Sequence, residues 1–459
     1  MIKNVLYSTS RQWNPGDEFI LMGTIKIMSK VIGPHNVIIY NRNPDVRHPM
    51  ILKTKDFFHL AFNDNSLKTD TDCSFIDLAV FAGTPEWCNE LCNNLYKHIS
   101  ESNLPTLFIG LGSNNRHMNP VIREVLSKSL YISFRDKKLK ISENIPLPPI
   151  IYRACPAMLC VSIGQEKKID KIKTVGLGFA VNRKYSVVNN CVGDDVYEYI
   201  KGLYVDFIEK YKEVYKIYII CHYIDELPIA HKVYDDYDVD ILYSYNSSDY
   251  QSIYSNIDVL ISPRVHGCGI ASSLGIPSIS IMHDNRATTT EMFMSESVDI
   301  NTSYDDVFTL FEKIAVDASK INEKLIKYKR EVFDSYVGDI KEKLTFEKVS
   351  YSNIDSYGKE VKNIWWGRDN EISKHIDLKS LYFFMEKYQL PGTNELHDLK
   401  SLQRDLNYFL RKRQRQRLIR ILIKPLVNRR VYTKLKRNPE AFFADSKSKF
   451  IRALERYYF

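Results

Sequence analysis

Residues Asp258 to Asp284 read DVLISPRVHGCGIASSLGIPSISIMHD, and this stretch decides the fold. Val259 to Ser262 is a short apolar run of the buried-strand type, and a proline ends it. Gly267 to Ser273 is a helix of small residues that stops before a glycine, and Ser278 to Ile281 is a second, β-branched strand. This order of strand, loop, helix and strand predicts an α/β unit with a parallel sheet.

The loop after the first of these strands holds Arg264 and His266. It lies at the carboxyl edge of the predicted sheet, where open α/β folds bind ligands, and leads into a helix N-terminus that attracts anions. Small residues from Gly267 onward leave the helix start almost bare, and the Arg264 fork suits a carboxylate or phosphate. Taken singly, the arginine can be a solvated charge and the histidine a cap partner. Together they indicate a site for a small di- or trianion.

The segment SPRVHG, followed by ASSLGIPSISI and HDNR, resembles the signature of the polysaccharide pyruvyl transferase family. In that family an Arg-apolar-His triplet, here Arg264, Val265 and His266, opens the helix of the second domain of a GT-B-like fold. The likeness extends from about Asn4 to His283. It implies two Rossmann-like α/β domains facing a cleft, with phosphoenolpyruvate as the donor substrate.

A second part of the resemblance lies near the N-terminus, in the segment NPGDEF. Val5 to Tyr7 is the first predicted strand, and an apolar helix follows from Asp17. The family carries Asn and then Gly-Asp in its first loop, as Asn14, Gly16 and Asp17 stand here. The resemblance implies that Asp17 faces the cleft and accepts a proton from an acceptor sugar hydroxyl. The alternative is that Asp17 only caps the helix.

Two more strand ends in the first half match the family. The strand Phe75 to Phe81 runs into Gly83 and Thr84, where the family usually has two glycines, and the Thr84 hydroxyl can bond a ligand instead. Arg135 follows the strand Tyr131 to Phe134, where the family has an arginine. The resemblance implies a second anion ligand at Arg135, and the alternative is that it pairs with the adjacent aspartate.

The second half contributes three further candidates. His222 lies just past a strand end, where family members can carry a histidine, and its alternative is a purely structural role. Arg286 stands where the family often has a lysine, so it can supply the positive charge, although the two cations are not equivalent. Cys268 at the helix start is either a thiol with a lowered pKa or a small core residue.

Length and composition set the organisation of the chain. Its 459 residues, of which 44% are hydrophobic, predict more than one domain with sizeable cores. We expect an acceptor-side domain at 1–163, a donor-binding domain at 164–345 that starts in a polar linker, and a helical extension at 346–459. Eight cysteines without a CxxC pair predict reduced thiols. No long apolar run or leader is seen, so we expect a cytoplasmic protein.

The net charge of +8 is unevenly distributed. From Arg411 to Phe459 sixteen Lys and Arg face three acids, a balance of +13, so the preceding 410 residues carry −5. Leu418 to Val427 adds an apolar segment suited to lying on a bilayer. A peripheral position on the inner face of the cell membrane is therefore expected, and a solvated basic helix docked on the core is the alternative. Nucleic acid is disfavoured because aromatic residues do not interleave with the main arginine cluster.

These features predict a transferase that moves the pyruvyl group of phosphoenolpyruvate onto a sugar of a bacterial-type surface polysaccharide or its precursor, releasing phosphate. Arg264 and Arg135 would hold the donor and His266 would supply a proton. No redox cofactor is required, and no metal-ligand spacing is seen. One alternative is a GT-B glycosyltransferase that uses a nucleotide sugar, for which Glu291 and Glu296 are the nearby acids. Another is a non-enzymatic membrane- or nucleic-acid-binding module.

Overall fold

The computed structural model describes most of the first 346 residues. The described ranges are 2, 4–9, 15–40, 57–60, 76–83, 93–112, 120–136, 146–182, 191–223, 226–244, 247–284 and 288–346. Asn14, Thr84 and Arg286 lie outside them, as does the predicted basic extension beyond residue 346. The predictions made for those residues therefore stay predictions.

The first sheet has seven parallel strands within the described ranges, in the order β3-β2-β1-β4-β5-β6-β7. These strands are β1 (Asn4–Thr9), β2 (Asn36–Tyr40), β3 (Phe57–Leu60), β4 (Leu78–Ala82), β5 (Thr106–Leu111), β6 (Tyr131–Phe134) and β7 (Ile150–Tyr152). β4, β5 and β6 are buried along their whole length, as their continuous apolar runs predict for strands covered on both faces. The covering helices are α1 (Pro15–Ile32), α2 (Asn93–Ser102) and α3 (Pro120–Ser127).

The second sheet has six parallel strands in the same part of the chain, in the order β10-β9-β8-β11-β12-β13. The strands are β8 (Thr174–Gly178), β9 (Lys216–Ile220), β10 (Asp240–Leu242), β11 (Val259–Ser262), β12 (Ser278–Met282) and β13 (Glu296–Asp299). The helices are α4 (Asp194–Tyr211), α5 (Leu227–Tyr234), α6 (Tyr250–Ser255), α7 (Val265–Ser273), α8 (Thr288–Glu291), α9 (Tyr304–Val316) and α10 (Ala318–Phe346).

Both sheets have the strand order of a doubly wound Rossmann-like fold. In each sheet the order reverses beside the first strand, between β1 and β4 in one and between β8 and β11 in the other. Open α/β sheets bind ligands in the crevice at the carboxyl side of this switch point. The helices that begin beside the two crevices are α1 and α7. The predicted fold class of two facing Rossmann-like sheets is confirmed.

Two helices begin earlier than the sequence predicts. The helix expected from Gly267 begins at Val265, so His266 lies in its first turn rather than in the preceding loop. The Ser262 hydroxyl accepts the Arg264 backbone N–H at 2.9 Å and fixes this entry. The first helix begins at Pro15, a residue suited to a first helical position, so Asp17 lies in the first turn and is not the cap.

α10, the last helix that the structure describes, ties the two sheets together. Arg153, just after β7, forms an ion pair with Asp339 of α10 at 2.9 Å, and the Tyr336 hydroxyl donates to the Ala154 carbonyl at 2.8 Å. α10 thus returns to the first half of the molecule, as expected for a GT-B-like fold. The predicted boundary at 163/164 falls between β7 and β8. None of the helices in the described ranges combines the length and apolarity that crossing a membrane requires.

Candidate functional site

A cleft that is open to solvent lies where the carboxyl edges of the two sheets face each other. Residues that follow β1 and β6 line it from the first sheet, and residues that follow β8, β9, β11 and β12 line it from the second. They are Gly16, Arg135, Cys191, Val192, His222, Tyr223, Pro263, Arg264, Val265, His266 and His283.

Arg264 is the N-cap residue of α7 and its guanidinium is held on several sides. Its Nε donates to the Phe179 carbonyl at 3.1 Å. Because Phe179 follows β8 and Arg264 follows β11, this hydrogen bond crosses the switch point. One terminal nitrogen donates to the carboxylate of Glu226. The guanidinium also lies over the Tyr223 ring, 5.1 Å from its centroid. These contacts fix the plane of the fork at the floor of the cleft.

Arg135 reaches the cleft from the first sheet. Its backbone N–H donates to the Leu111 carbonyl at 3.0 Å, and its side chain is buried with Nη1 at 3.3 Å from Nε2 of His266. Asp136 accepts a hydrogen bond from the Thr288 hydroxyl at the start of α8. The two residues that follow β6 therefore both contact the second half of the protein, and this brings Arg135 to Arg264 and His266 at the cleft.

The Arg135 contact specifies how His266 hydrogen-bonds in this arrangement. A guanidinium only donates hydrogen bonds, so Nε2 of His266 is the acceptor and carries no proton while the contact lasts. The imidazole is then neutral, with its proton on Nδ1. An anion that draws Arg135 away from Nε2 would leave that nitrogen able to take up and pass on a proton.

Gly16 is adjacent to the same imidazole from the side of α1. A Cβ atom at Gly16 would lie 2.1 Å from Nδ1 and 2.7 Å from Cβ of His266, so no side chain fits there without moving the histidine. The helix N-terminus can approach His266 closely because residue 16 is glycine. The resemblance implied a cleft role for Gly16, and it lines the cleft.

Asp17 is buried in the first turn of α1, one residue from Gly16. Burial raises the pKa of the Cys155 thiol, Arg135 opposes this shift, and the Asp17 charge makes a small contribution that raises it. Cys155 Sγ lies 3.9 Å from Arg135 Nη1. Asp17 is thus close to Cys155, which Arg135 contacts. The carboxylate also lies where the positive end of the helix dipole stabilises it.

His222 lies just past β9 and is buried in the wall of the cleft. Burial, with a smaller effect from the Arg264 charge, lowers the pKa of His222 to about 3, so this imidazole is neutral at physiological pH. Its Nε2 is 2.9 Å from the Tyr254 hydroxyl, and its ring packs edge-on against Phe19 of α1. It can offer the cleft a neutral hydrogen-bonding group, while its partners also give it a structural role.

The small residues of α7 serve packing and do not leave the helix start bare, which corrects the sequence-based expectation. A Cβ at Gly267 would lie 2.8 Å from the Tyr254 hydroxyl, and one at Gly269 would lie 3.1 Å from Ala157. Gly267 is therefore buried behind the cleft. Burial raises the pKa of Cys268 to about 11, so this thiol is a core residue and not a reactive one.

Asp17 and Gly267 are buried and do not line the cleft, and the other predicted site residues divide into three groups. Those that line the cleft are Arg264, Val265, His266, Arg135, Gly16 and His222. Gly83 ends β4 with a φ of +88°, a conformation that suits glycine, and a Cβ there would lie 3.1 Å from Ile20, so it packs behind the cleft wall. Asn14, Thr84 and Arg286 lie outside the described residues.

The structure adds Tyr223 and His283 to the cleft lining, and it places Glu226 behind Arg264 as a partner of the guanidinium. For Tyr223 and Glu226 the sequence signal was an aromatic residue and an acid soon after a predicted strand end, in CHYIDE. Within the described ranges, no group of three or more His, Cys, Asp or Glu side chains is arranged to hold a metal ion.

Comparisons with solved structures show the same fold. A UDP-GlcNAc 2-epimerase from Neisseria meningitidis bound to UDP-GlcNAc is 13% identical, with a TM-score of 0.50 over 76% of this chain and 100% of that one. The MnaA–UDP structure from S. aureus is 11% identical, with a TM-score of 0.50 over 77% of this chain and 100% of that one. At these identities the likeness concerns the fold alone. A comparison with curated proteins gives no match.

The family comparison is more specific. The profile described as polysaccharide pyruvyl transferase matches residues 14–285, more than half of the 459-residue chain. The match covers α1 and its Gly-Asp pair, Arg135 after β6, and the Arg-Val-His triplet at the start of α7, which meet in one cleft. The chain therefore belongs to the polysaccharide pyruvyl transferase family.

Proposed function

We propose that this protein transfers the pyruvyl group of phosphoenolpyruvate onto a sugar of a surface polysaccharide or its precursor, forming a cyclic ketal and releasing phosphate. The observation that carries the proposal is the meeting of Arg135, Arg264 and His266 from two different sheets, with Arg135 Nη1 at 3.3 Å from His266 Nε2. Two fixed guanidinium groups beside one titratable imidazole suit a small donor with two anionic groups and a carbon that must be protonated.

Each part of phosphoenolpyruvate has a counterpart in the cleft. Its carboxylate and phosphate each accept paired hydrogen bonds from a planar guanidinium. Arg264 is held at the floor of the cleft by Phe179 and Glu226, and Arg135 is buried opposite it. A dianion that engages Arg135 releases Nε2 of His266, which couples donor binding to the availability of the imidazole for proton transfer.

The transfer proceeds by protonation of the donor, addition of a sugar hydroxyl, loss of phosphate and closure of the ketal. His266 in its protonated form gives a proton to the methylene carbon C3, which makes C2 electrophilic. One sugar hydroxyl forms a bond to C2 and gives up its proton, and the C2–O bond to phosphate breaks with its electron pair on the phosphate oxygen. A neighbouring hydroxyl of the same sugar adds to C2, loses its proton and closes the ketal. The phosphate oxyanion carries away charge that the two arginines stabilise.

Phosphate release from phosphoenolpyruvate, measured with a panel of surface-glycan acceptors, tests the proposal directly. We expect release that depends on both the donor and an acceptor. The parallel arm supplies nucleotide sugars to the same acceptors and measures nucleotide release. Release of nucleotide without release of phosphate would overturn the proposal in favour of a glycosyltransferase.

We also propose that Asp17 is the base for the attacking sugar hydroxyl. Asp17→Asn is expected to slow transfer by about 10²- to 10⁴-fold, because the amide keeps the size of the side chain but cannot take a proton. Donor affinity should change much less. The measurement is single-turnover phosphate release combined with calorimetric titration of phosphoenolpyruvate.

A matched control for this variant is Asp305→Asn in the first turn of α9, because Asp305 is exposed and does not line the cleft. Both substitutions remove a charge at a helix N-terminus, which is worth about 0.3 to 1 kcal/mol. If Asp17→Asn turns over at the rate of wild type, Asp17 acts only through the helix dipole and the base is another group.

The basic segment from Arg411 to Phe459 supports a further proposal, that the protein acts at the inner face of an anionic membrane. Its charge of +13 and its apolar stretch from Leu418 to Val427 are the two signals that stable peripheral binding requires. Each basic residue near an anionic leaflet is worth about 1 kcal/mol. Deleting the segment should therefore abolish flotation with anionic vesicles and leave turnover of a water-soluble acceptor unchanged. Full-length protein that stays at the bottom of the gradient at moderate salt would contradict it.

A further inference from the structure

A buried carboxylate lies directly behind the anion-binding arginine. Glu226, at the start of α5, is fully buried, and its Oε1 accepts a hydrogen bond from Arg264, whose own side chain is only 10% exposed. The second oxygen, Oε2, accepts the backbone N–H groups of His222 at 2.7 Å and of Tyr223 at 3.2 Å. One side chain thus connects the arginine that follows β11 to the two cleft residues that follow β9.

Such a carboxylate is costly to bury unless it is paired and hydrogen-bonded, and Glu226 meets both conditions. Three donors from two separate strand ends converge on its two oxygens. Because Arg264 also donates Nε to Phe179, the guanidinium is fixed from two directions, and rotation of the fork would break both contacts. The pairing therefore restricts Arg264 to one orientation at the cleft floor.

We infer that Glu226 is a positioning residue for the donor, which acts through Arg264 and through the backbone of His222 and Tyr223. This inference rests on the proposed function, since the donor in question is phosphoenolpyruvate. This positioning role differs from the effect that the negative charge of Glu226 has on the site. Glu226 carries a negative charge near a site for an anion, so a purely electrostatic effect would weaken donor binding, whereas positioning strengthens it.

Glu226→Gln separates these two effects because they have opposite signs. The amide has the same shape but only one acceptor oxygen, and its NH₂ group must face either the Arg264 donor or the two backbone donors. Loss of positioning should raise the Kd and KM for phosphoenolpyruvate by about 10- to 100-fold, the size of effect that outer partners have at metal sites, with kcat nearly unchanged. Loss of the charge alone would lower both.

A double-mutant cycle shows whether Glu226 acts through Arg264. The variants are Glu226→Gln, Arg264→Lys and the pair together, and the measurement is phosphoenolpyruvate affinity by calorimetry together with KM and kcat from phosphate release. If Glu226 acts through the guanidinium fork, the double variant should bind the donor about as weakly as Arg264→Lys alone. If the double variant instead shows the product of the two single increases in Kd, the two residues act independently and the inference is wrong.

Glu166→Gln is the matched control. Glu166 is also an acid of the second half whose side chain is mostly covered, paired at 2.7 Å with the fully buried Lys329, but it does not line the cleft. Its substitution should lower the thermal midpoint and leave donor affinity unchanged. Should Glu226→Gln not fold, Glu226→Asp serves instead: it keeps the charge and withdraws the carboxylate by one methylene, so positioning predicts weaker donor binding and charge alone predicts no change.

The outcomes separate the inference from the function on which it rests. Wild-type protein that binds phosphoenolpyruvate, with Glu226→Gln binding it as tightly or more tightly, would overturn the positioning role only. Wild-type protein that binds no phosphoenolpyruvate would overturn the proposed function, and the positioning of this donor with it. The inference is supported if Glu226→Gln binds phosphoenolpyruvate more weakly than wild type while Glu166→Gln does not. The loss must also be non-additive with that of Arg264→Lys.

Discussion

Replacing His266 by alanine is expected to reduce phosphate release from phosphoenolpyruvate by about 10²- to 10⁴-fold, the usual contribution of a positioned proton-transfer group. The imidazole lies between Arg135, 3.3 Å from its Nε2, and Gly16, which is close to its Nδ1. Donor affinity should change little, because both arginines remain. Single-turnover phosphate release and calorimetric titration of the donor measure the two quantities separately.

His231→Ala is a suitable control because His231 is another histidine of the second half, and it is buried. It pairs with Asp235 at 2.7 Å on α5 and does not line the cleft. This variant should lose some stability and keep its rate of transfer. A His266→Ala protein that turns over as fast as wild type at several pH values would show that another group protonates the donor.

The elements that carry the site were predictable from the sequence because their signals are local. β11 and β6 were predicted with the bounds that they have, since each is a short run of apolar residues ended by a proline or a charged pair. The start of α7 was predicted two residues late. The small residues from Gly267 were read as the beginning of the helix, whereas the Ser262 hydroxyl already fixes the Arg264 backbone N–H.

The site itself could be predicted only where the family resemblance supplied it. Arg135 and His266 are 131 positions apart, and no local pattern brings their side chains to 3.3 Å. Glu226 was missed for the same reason, because its partner Arg264 lies 38 positions further along the chain. The role of Gly16 likewise depends on His266, since the space that a Cβ would need is filled by a side chain of the other sheet.

A second feature of α1 was not predictable at all, namely the state of Glu18. This side chain is fully buried one residue after Asp17, and neither carboxyl oxygen has a hydrogen-bond partner. Burial raises the pKa of Glu18 well above its ordinary value, and the Asp17 charge adds to the shift. Two adjacent acids of one helical turn therefore differ in environment, and the sequence DE gives no sign of it.

Glu18→Gln is accordingly expected to stabilise the protein at neutral pH. The unfolded chain releases the Glu18 proton near pH 4.3, while the folded state keeps it to a higher pH. Between those two pKa values the folded state binds one proton more than the unfolded state, so the Glu18 contribution to stability falls by about 1.4 kcal/mol per pH unit as the pH rises. Glutamine has the shape of the neutral acid and does not titrate, so the variant does not lose stability in this way as the pH rises.

The measurement is the difference in thermal midpoint between the variant and wild type from pH 4 to pH 8. We expect it to be small at pH 4, where Glu18 is mostly protonated in both states, and to grow in favour of the variant up to the folded-state pKa. Glu213→Gln, at an exposed position just after α4, controls for the loss of one negative charge. A midpoint difference that is the same at pH 4 and pH 8, or a variant less stable than wild type at pH 8, would mean that the buried carboxyl is ionised and compensated in the folded protein.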